Sequence, residues 1–229
     1  MLKRKIGFAG AFVALMLAGT ASAQMGGMFR RPQLPRGLYN PVVGSGAQYE
    51  ITSPNDKKMT LEYDVVGKDT IDGKDGFWFE APIDTPEMQG MIIKMFMTVD
   101  QGVPTITRTV MQMPGTPPME MPQQPARMQN DQNKPFDVRT DVDDLGSESV
   151  TTPAGTFDTR HYRMKDGSGE AWISDKVSPY GLVKYNGKDK NTVILTKVVT
   201  GAKSRITQTP VPFNPMMMRG MGGRGGPQQ

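Results

Sequence analysis

The sequence predicts a mainly β protein: a single curved antiparallel sheet, a half-barrel or open barrel of about ten strands, with at most one short helix. Three observations predict it. Between Gly146 and Gly187, strand-like alternation and turn chemistry agree over the longest run in the chain. The pairs Asp72-Gly73, Asp75-Gly76 and Asp166-Gly167 place residues tolerant of positive φ between apolar runs, as hairpins require. In the body of the chain only Thr85 to Phe96 offers helical spacing, and an antiparallel sheet of this size must curl or split.

Lys3-Arg4-Lys5, the apolar run Ile6 to Ala18 and the small residues Ala21-Ser22-Ala23 stand in the order of a secretory signal peptide, residues 1–23, with cleavage ahead of Gln24. The apolar run falls short of the roughly 20 residues that span a bilayer as a helix. A periplasmic or secreted product is therefore expected. The chain has no cysteine, which excludes disulfides and a lipid-modified N-terminal Cys. Removing Lys3, Arg4 and Lys5 takes the formal charge of +4 down to +1. Arg30, Arg31, Arg36, Arg219 and Arg224 lie near the ends, so the body is mildly acidic and nucleic acid is a poor partner. Contact of the basic arms with an anionic membrane or envelope surface is the better expectation.

Residues 24–45 are rich in Gly, Met, Arg and Pro without a period and read as a flexible arm, ahead of a β domain over 46–209. Ala47, Tyr49 and Ile51 alternate with polar residues, Ser53-Pro54-Asn55-Asp56 turns the chain, and Met59, Leu61, Tyr63 and Val65 form the apolar face of the next strand. Phe77 to Ala81 continues after the Asp-Gly turns. Asp84 to Asp100 reads as strand rather than helix, because Met91, Ile93, Met95, Met97 and Val99 make an unbroken face at period two. Gly102 to Met113, rich in β-branched residues, is its antiparallel partner. Residues 114–135 form a Pro, Met and Gln tract that reads as an inserted loop. Strands are expected over Phe136 to Val142, Ser149 to Thr152, Thr156 to Met164, Glu170 to Ser174, Thr192 to Thr200 and Lys203 to Thr207, before a disordered Met/Gly/Arg tail over 210–229.

Catalysis finds little support. There is no thiol, His161 is the only imidazole, and no nucleophile elbow, zinc pair, Walker loop or dinucleotide fingerprint occurs. The protein is expected not to be an enzyme and to need no cofactor. Asp69, Asp72 and Asp75, like Asp141, Asp143 and Asp144, lack the ligand spacing of an EF-hand loop. Glu62 and Asp64 read as an exposed strand face. The favoured function is binding of a lipid-like or hydrophobic small molecule on a concave face lined by Phe77, Phe79, Met91, Ile93, Met95 and Met97, where Met can repack around variable cargo. One alternative is Cu(I) binding by soft thioethers at Met111, Met113, Met119, Met121, Met216, Met217 and Met218. Another is a structural or partner-binding envelope module, for which the sequence names no protein partner.

Val150-Thr151-Thr152-Pro153-Ala154-Gly155-Thr156-Phe157, followed by Trp172-Ile173-Ser174 and Gly181-Leu182-Val183-Lys184, resembles a group of exported bacterial β proteins of unknown function. That group is similar in turn to the periplasmic lipoprotein-localisation (Lol-like) open barrels. The resemblance implies a curved antiparallel sheet whose concave side holds acyl chains. Helices lie across the sheet in the lipoprotein carriers, and here only Thr85 to Phe96 could supply one.

Overall fold

The computed structural model describes residues 38–83, 88–100, 103–122 and 137–213. The expected signal segment, most of the N-terminal arm, residues 123–135 of the insertion, Phe136 and the tail from 214 onward lie outside them. Twelve strands follow one another: β1 Ser45–Thr52, β2 Lys58–Ile71, β3 Lys74–Ile83, β4 Met91–Asp100, β5 Val103–Gln112, β6 Met119–Glu120, β7 Val142–Thr152, β8 Gly155–Met164, β9 Gly169–Ile173, β10 Leu182–Gly187, β11 Thr192–Thr200 and β12 Val211–Pro212. β6 and β12 are two residues long, so ten full strands carry the fold. All lie in one sheet of order β12-β6-β5-β4-β3-β2-β1-β11-β10-β9-β8-β7. Every pairing is antiparallel except β12 with β6, which makes the sheet mixed. It does not close on itself, and no helix occurs among the described residues.

Local chemistry sets the reversals. Asp72 and Gly73 have φ of 51° and 73°, the backbone of a two-residue hairpin that twists with its strands, and they join Ile71 to its partner Lys74. Pro153-Ala154 connects Thr152 to its partner Gly155, and here it is Gly155, with φ of 128°, that takes the positive-φ backbone. Extra residues at Thr196 on β11, Val66 on β2 and Thr107 on β5 shift the registers against β1, β3 and β4 and increase the local twist. The sheet curls far enough that β11 and β7, four places apart in its order, approach each other.

The curl buries one face. A large cluster runs from Ala81 on β3 through Leu61, Tyr49, Leu195 and Tyr185 to Val150 and Phe157 on the β7–β8 hairpin. A second joins Val65, Phe79 and Met97 to Tyr180, with Tyr39, Phe77 and Ile106 around it. A third gathers Met91, Met111 and Met121. The opposite face is covered as well in the middle of the sheet. Asp64, Glu80 and Lys94 stand in register across β2, β3 and β4, and the chain after β11 crosses over them. Ser204 Oγ and the N–H groups of Arg205 and Ile206 donate to Glu80, while the Arg205 guanidinium reaches Asp64 at 2.7 Å and also holds Glu62.

This crossing corrects two expectations, and a local turn corrects a third. Lys203 to Thr207 is not a strand, because the buried Glu80 carboxylate takes the N–H groups that a ladder would have used. Glu62 and Asp64 are not an exposed face, since Arg205 lies across them and leaves Asp64 1% exposed. Between Asp137 and Val142 the chain turns: Asp141 N donates to Asp137 O at 2.8 Å and Asp137 N to Asp141 Oδ2 at 2.9 Å, so the strand begins at Val142. The arm is also shorter than its composition suggested, because Tyr39 to Gly44 docks on the domain. The insertion, for its part, gives β6 to the sheet, with Met119 fully buried.

Candidate functional site

The residues of the favoured concave face fall into separate places. Phe77, Phe79 and Met97 come together under Tyr39 and Tyr180. Met91 and Ile93 belong to the methionine cluster at the far end of β4, and Met95 packs against the large cluster. Tyr180 Oη donates to Met97 Sδ at 3.6 Å, and the Tyr39 ring lies 6.0 Å from Phe79 and 6.0 Å from Tyr180. Phe79 and Met97 therefore form a layer beneath two tyrosines.

Above that layer lies an open cleft of about 460 Å³. Its apolar wall is made by Leu38, Tyr39, Tyr162, Ile173, Val177 and Tyr180, and its polar rim by Asn40, Ser147, Asp158, Thr159, Arg160, Ser174 and Asp175. Three elements meet there. The first is the β8 face that carries Asp158, Arg160 and Tyr162; the second is the end of β9 with the 174–181 loop. The third is the segment before β1, sewn to that loop by Asn40 N donating to Pro179 O at 2.8 Å and Val42 N to Ser178 Oγ at 3.1 Å. The Ser178-Pro179 bond is cis.

Burial pushes the phenols of Tyr39 and Tyr180 well above the ordinary tyrosine range, so both stay neutral. Tyr39 Oη is buried without a hydrogen-bond partner among the described residues. A buried hydroxyl in that condition is costly to the fold. On the rim, Arg160 donates to Asp144 from Nε at 2.8 Å and from Nη2 at 2.6 Å. The pairing holds the Asp144 carboxyl below its usual range and neutralises the guanidinium. Asp158 is an exposed rim charge, 3.7 Å from Lys176 Nζ.

His161 sits between Arg160 and Tyr162 in the strand and so faces away from the cleft. Its ring stacks on Trp172 with centroids 4.2 Å apart, Nε2 lies 3.1 Å from Glu170 Oε2 and Nδ1 lies 3.3 Å from Glu148 Oε2. Trp172 Nε1 donates to Glu148 at 2.7 Å. Both ring nitrogens thus serve a structural cluster on the far side of β8. Among the described residues no three His, Cys, Asp or Glu side chains are grouped to hold a metal ion. Sequence reasoning missed the cleft because Tyr39 lies in a stretch with no period and Tyr180 in a turn; only their aromatic character within polar surroundings marked them.

No protein-family profile and no curated sequence matches the chain. Among solved structures it is similar to a candidate lipoprotein from Parabacteroides distasonis, with 17% identity over 72% of this chain and 100% of that one, at a TM-score of 0.37. It is also similar to an exported protein with a YmcC-like fold from Bacteroides fragilis, with 13% identity over 71% and 99% and a TM-score of 0.36. A third is the Pseudomonas aeruginosa MucA/MucB complex, with 12% identity over 70% of this chain and 52% of that one and a TM-score of 0.32. Scores this low at such identities carry no function across.

Proposed function

We propose that this protein is an exported, non-enzymatic binder of a small lipid-like or amphipathic molecule at the cell envelope, with the Tyr39–Tyr180 cleft as its site. The observation that carries the reading is the open cleft of about 460 Å³, walled by aromatic and aliphatic side chains with a polar rim. That size and mixture suit a small ligand, whose apolar part is removed from water at about 25 cal/mol per Å² buried. Phe77, Phe79 and Met97 support the site through Tyr39 and Tyr180 rather than by direct contact. The signal-like N-terminus supports an envelope address.

Native mass spectrometry of the protein purified from the envelope fraction, with organic extraction of anything carried along, is the direct test. It is paired with titration of a fluorescent fatty-acid analogue. Saturable binding that is weakened by Tyr162→Ser and Ile173→Ser supports the reading. No co-purifying molecule together with no saturable probe binding sinks it.

A further inference from the structure

Methionine is unevenly shared among the buried clusters. Where β3, β4, β5 and β6 meet, Met91, Met111 and Met121 are buried together, with Met88, Met113, Ile83, Ile93 and Phe213 packed around them. Five of these eight residues are thioethers, against one of seven around Tyr180 and three of twenty-five in the large cluster. Packing alone does not ask for that concentration, because Met gives up more rotamer freedom on burial than Ile or Leu.

The register explains how these side chains come to share one cluster. Ile93 stands opposite Met111 and Met111 opposite Met119, and directly opposed residues point to the same face. At period two, Met113 and Met121 join that face, and Met121 N is fixed by donating to Thr109 O at 2.8 Å. Met91 opens the next strand over, and the turn before it folds Met88 back, with Met91 N donating to Met88 O at 3.1 Å. Met88 and Met113 are only half-buried, which leaves a route in from solvent. The neighbouring carboxylate, Glu120, alternates to the other face and is held by Arg108 at 2.7 Å, so it does not enter the cluster.

We propose that this cluster is a Cu(I) site, with ligands drawn from the thioethers of Met88, Met91, Met111, Met113 and Met121. Neutral, polarisable sulfur, with no carboxylate, imidazole or thiolate among the described residues of the cluster, selects a soft monovalent ion over hard or borderline cations. The site includes Met88 and Met91, which lie outside the methionine tracts of the sequence, and it is independent of the apolar cleft.

The test is anaerobic competition between the full chain and the chromogenic chelator bicinchoninate for Cu(I). Expected is withdrawal of copper by the wild type and its loss in Met91→Leu/Met111→Leu/Met121→Leu, a volume-conserving change that keeps the packing. Met59→Leu/Met95→Leu/Met164→Leu and Met216→Leu/Met217→Leu/Met218→Leu are expected to compete like wild type. Absence of competition, or its survival in the first variant, overturns the site. If that variant does not fold, Ag(I) titration of wild type with methionine methyl NMR decides. Shifts at Met91, Met111 and Met121 support the site, and unmoved resonances overturn it.

Discussion

Arg205 donates its backbone N–H to Glu80 at 2.7 Å, tying the segment after the last long strand to the centre of β3. Glu80 is fully buried, accepts also from Ile206 N at 3.3 Å, and lies 3.6 Å from Lys94 Nζ. Glu80→Ala would take the carboxylate from the half-buried Lys94 ammonium, which keeps Ser204 Oγ, and would strand two amide donors. The expected loss is about 3 kcal/mol or more of unfolding free energy in urea, with Glu80→Gln losing less. Amide exchange at Arg205 and Ile206 should rise in the same variant. An unchanged urea midpoint would show that the crossing segment does not depend on this carboxylate.

Two glycines in the β2–β3 hairpin separate close approach from open space. A methyl at Gly76 would sit 2.5 Å from Met97 O and 2.5 Å from the Phe96 ring, neither of which can yield without moving β4. At Gly67 the nearest atoms are Trp78 carbons at 3.9 and 4.0 Å. Gly76→Ala is expected to cost about 1–3 kcal/mol and Gly67→Ala to stay within roughly 0.5 kcal/mol of wild type in chemical denaturation.

Much of this architecture was legible because it is written locally. Asp72-Gly73 and Pro153-Ala154 turn where turn chemistry says they should, and the alternation at Tyr49, Leu61 and Trp172 gives strands and faces. What could not be read depends on partners distant in sequence. Lys203 to Thr207 has strand-like residues, and only a carboxylate more than a hundred positions earlier keeps it out of a ladder. Glu62 and Asp64 look solvent-facing until Arg205 arrives. The methionine face of β4 was visible as a stripe, but the stripe is divided: Met97 goes under Tyr180 and Met91 joins Met111 and Met121. The cleft depends on Tyr39 and Tyr180 meeting, which no periodicity announces.

Acid should weaken the fold through paired carboxylates. The Arg108 hydrogen bonds hold Glu120 below its ordinary range, and the Arg163 hydrogen bond, with His161 assisting against partial burial, does the same for Glu170. A depressed folded-state value means that the unfolded chain binds more protons. The contribution is therefore complete above the ordinary glutamate value of about 4.3 and disappears as pH falls through the lower folded value. Asp64 has the opposite sign: burial pushes it up against the Arg205 hydrogen bond, so its contribution is complete below the ordinary aspartate range and shrinks as pH rises through the raised value. Urea midpoints measured across the acid range should drop less steeply in Glu120→Gln and Glu170→Gln than in wild type. Because both carboxylates are partly exposed, the flattening should be small and should shrink further in high salt. Equal slopes in all three proteins would remove these pairs from the account.

At the cleft rim the Arg160–Asp144 pair sets which end groups the site tolerates. With Asp144 bound to Nε and Nη2, the guanidinium offers an incoming anion little net charge. Asp144→Asn keeps an oxygen for the Gly146 N–H that now donates to Asp144 Oδ1 at 2.9 Å, but removes the neutralising charge. A carboxylate-headed amphiphile seated on Tyr162 and Ile173 should then bind severalfold tighter, roughly two- to fivefold for an exposed charge pair. A neutral amphiphile of the same tail length should be unaffected. The difference should fade as ionic strength shortens the Debye length to a few ångströms near 1 M. Fluorescence titrations of both probes at low and high salt measure each part. Equal gains for the charged and neutral probes would mean that the substitution had reshaped the cleft, while no gain for either would take Arg160 away from the ligand.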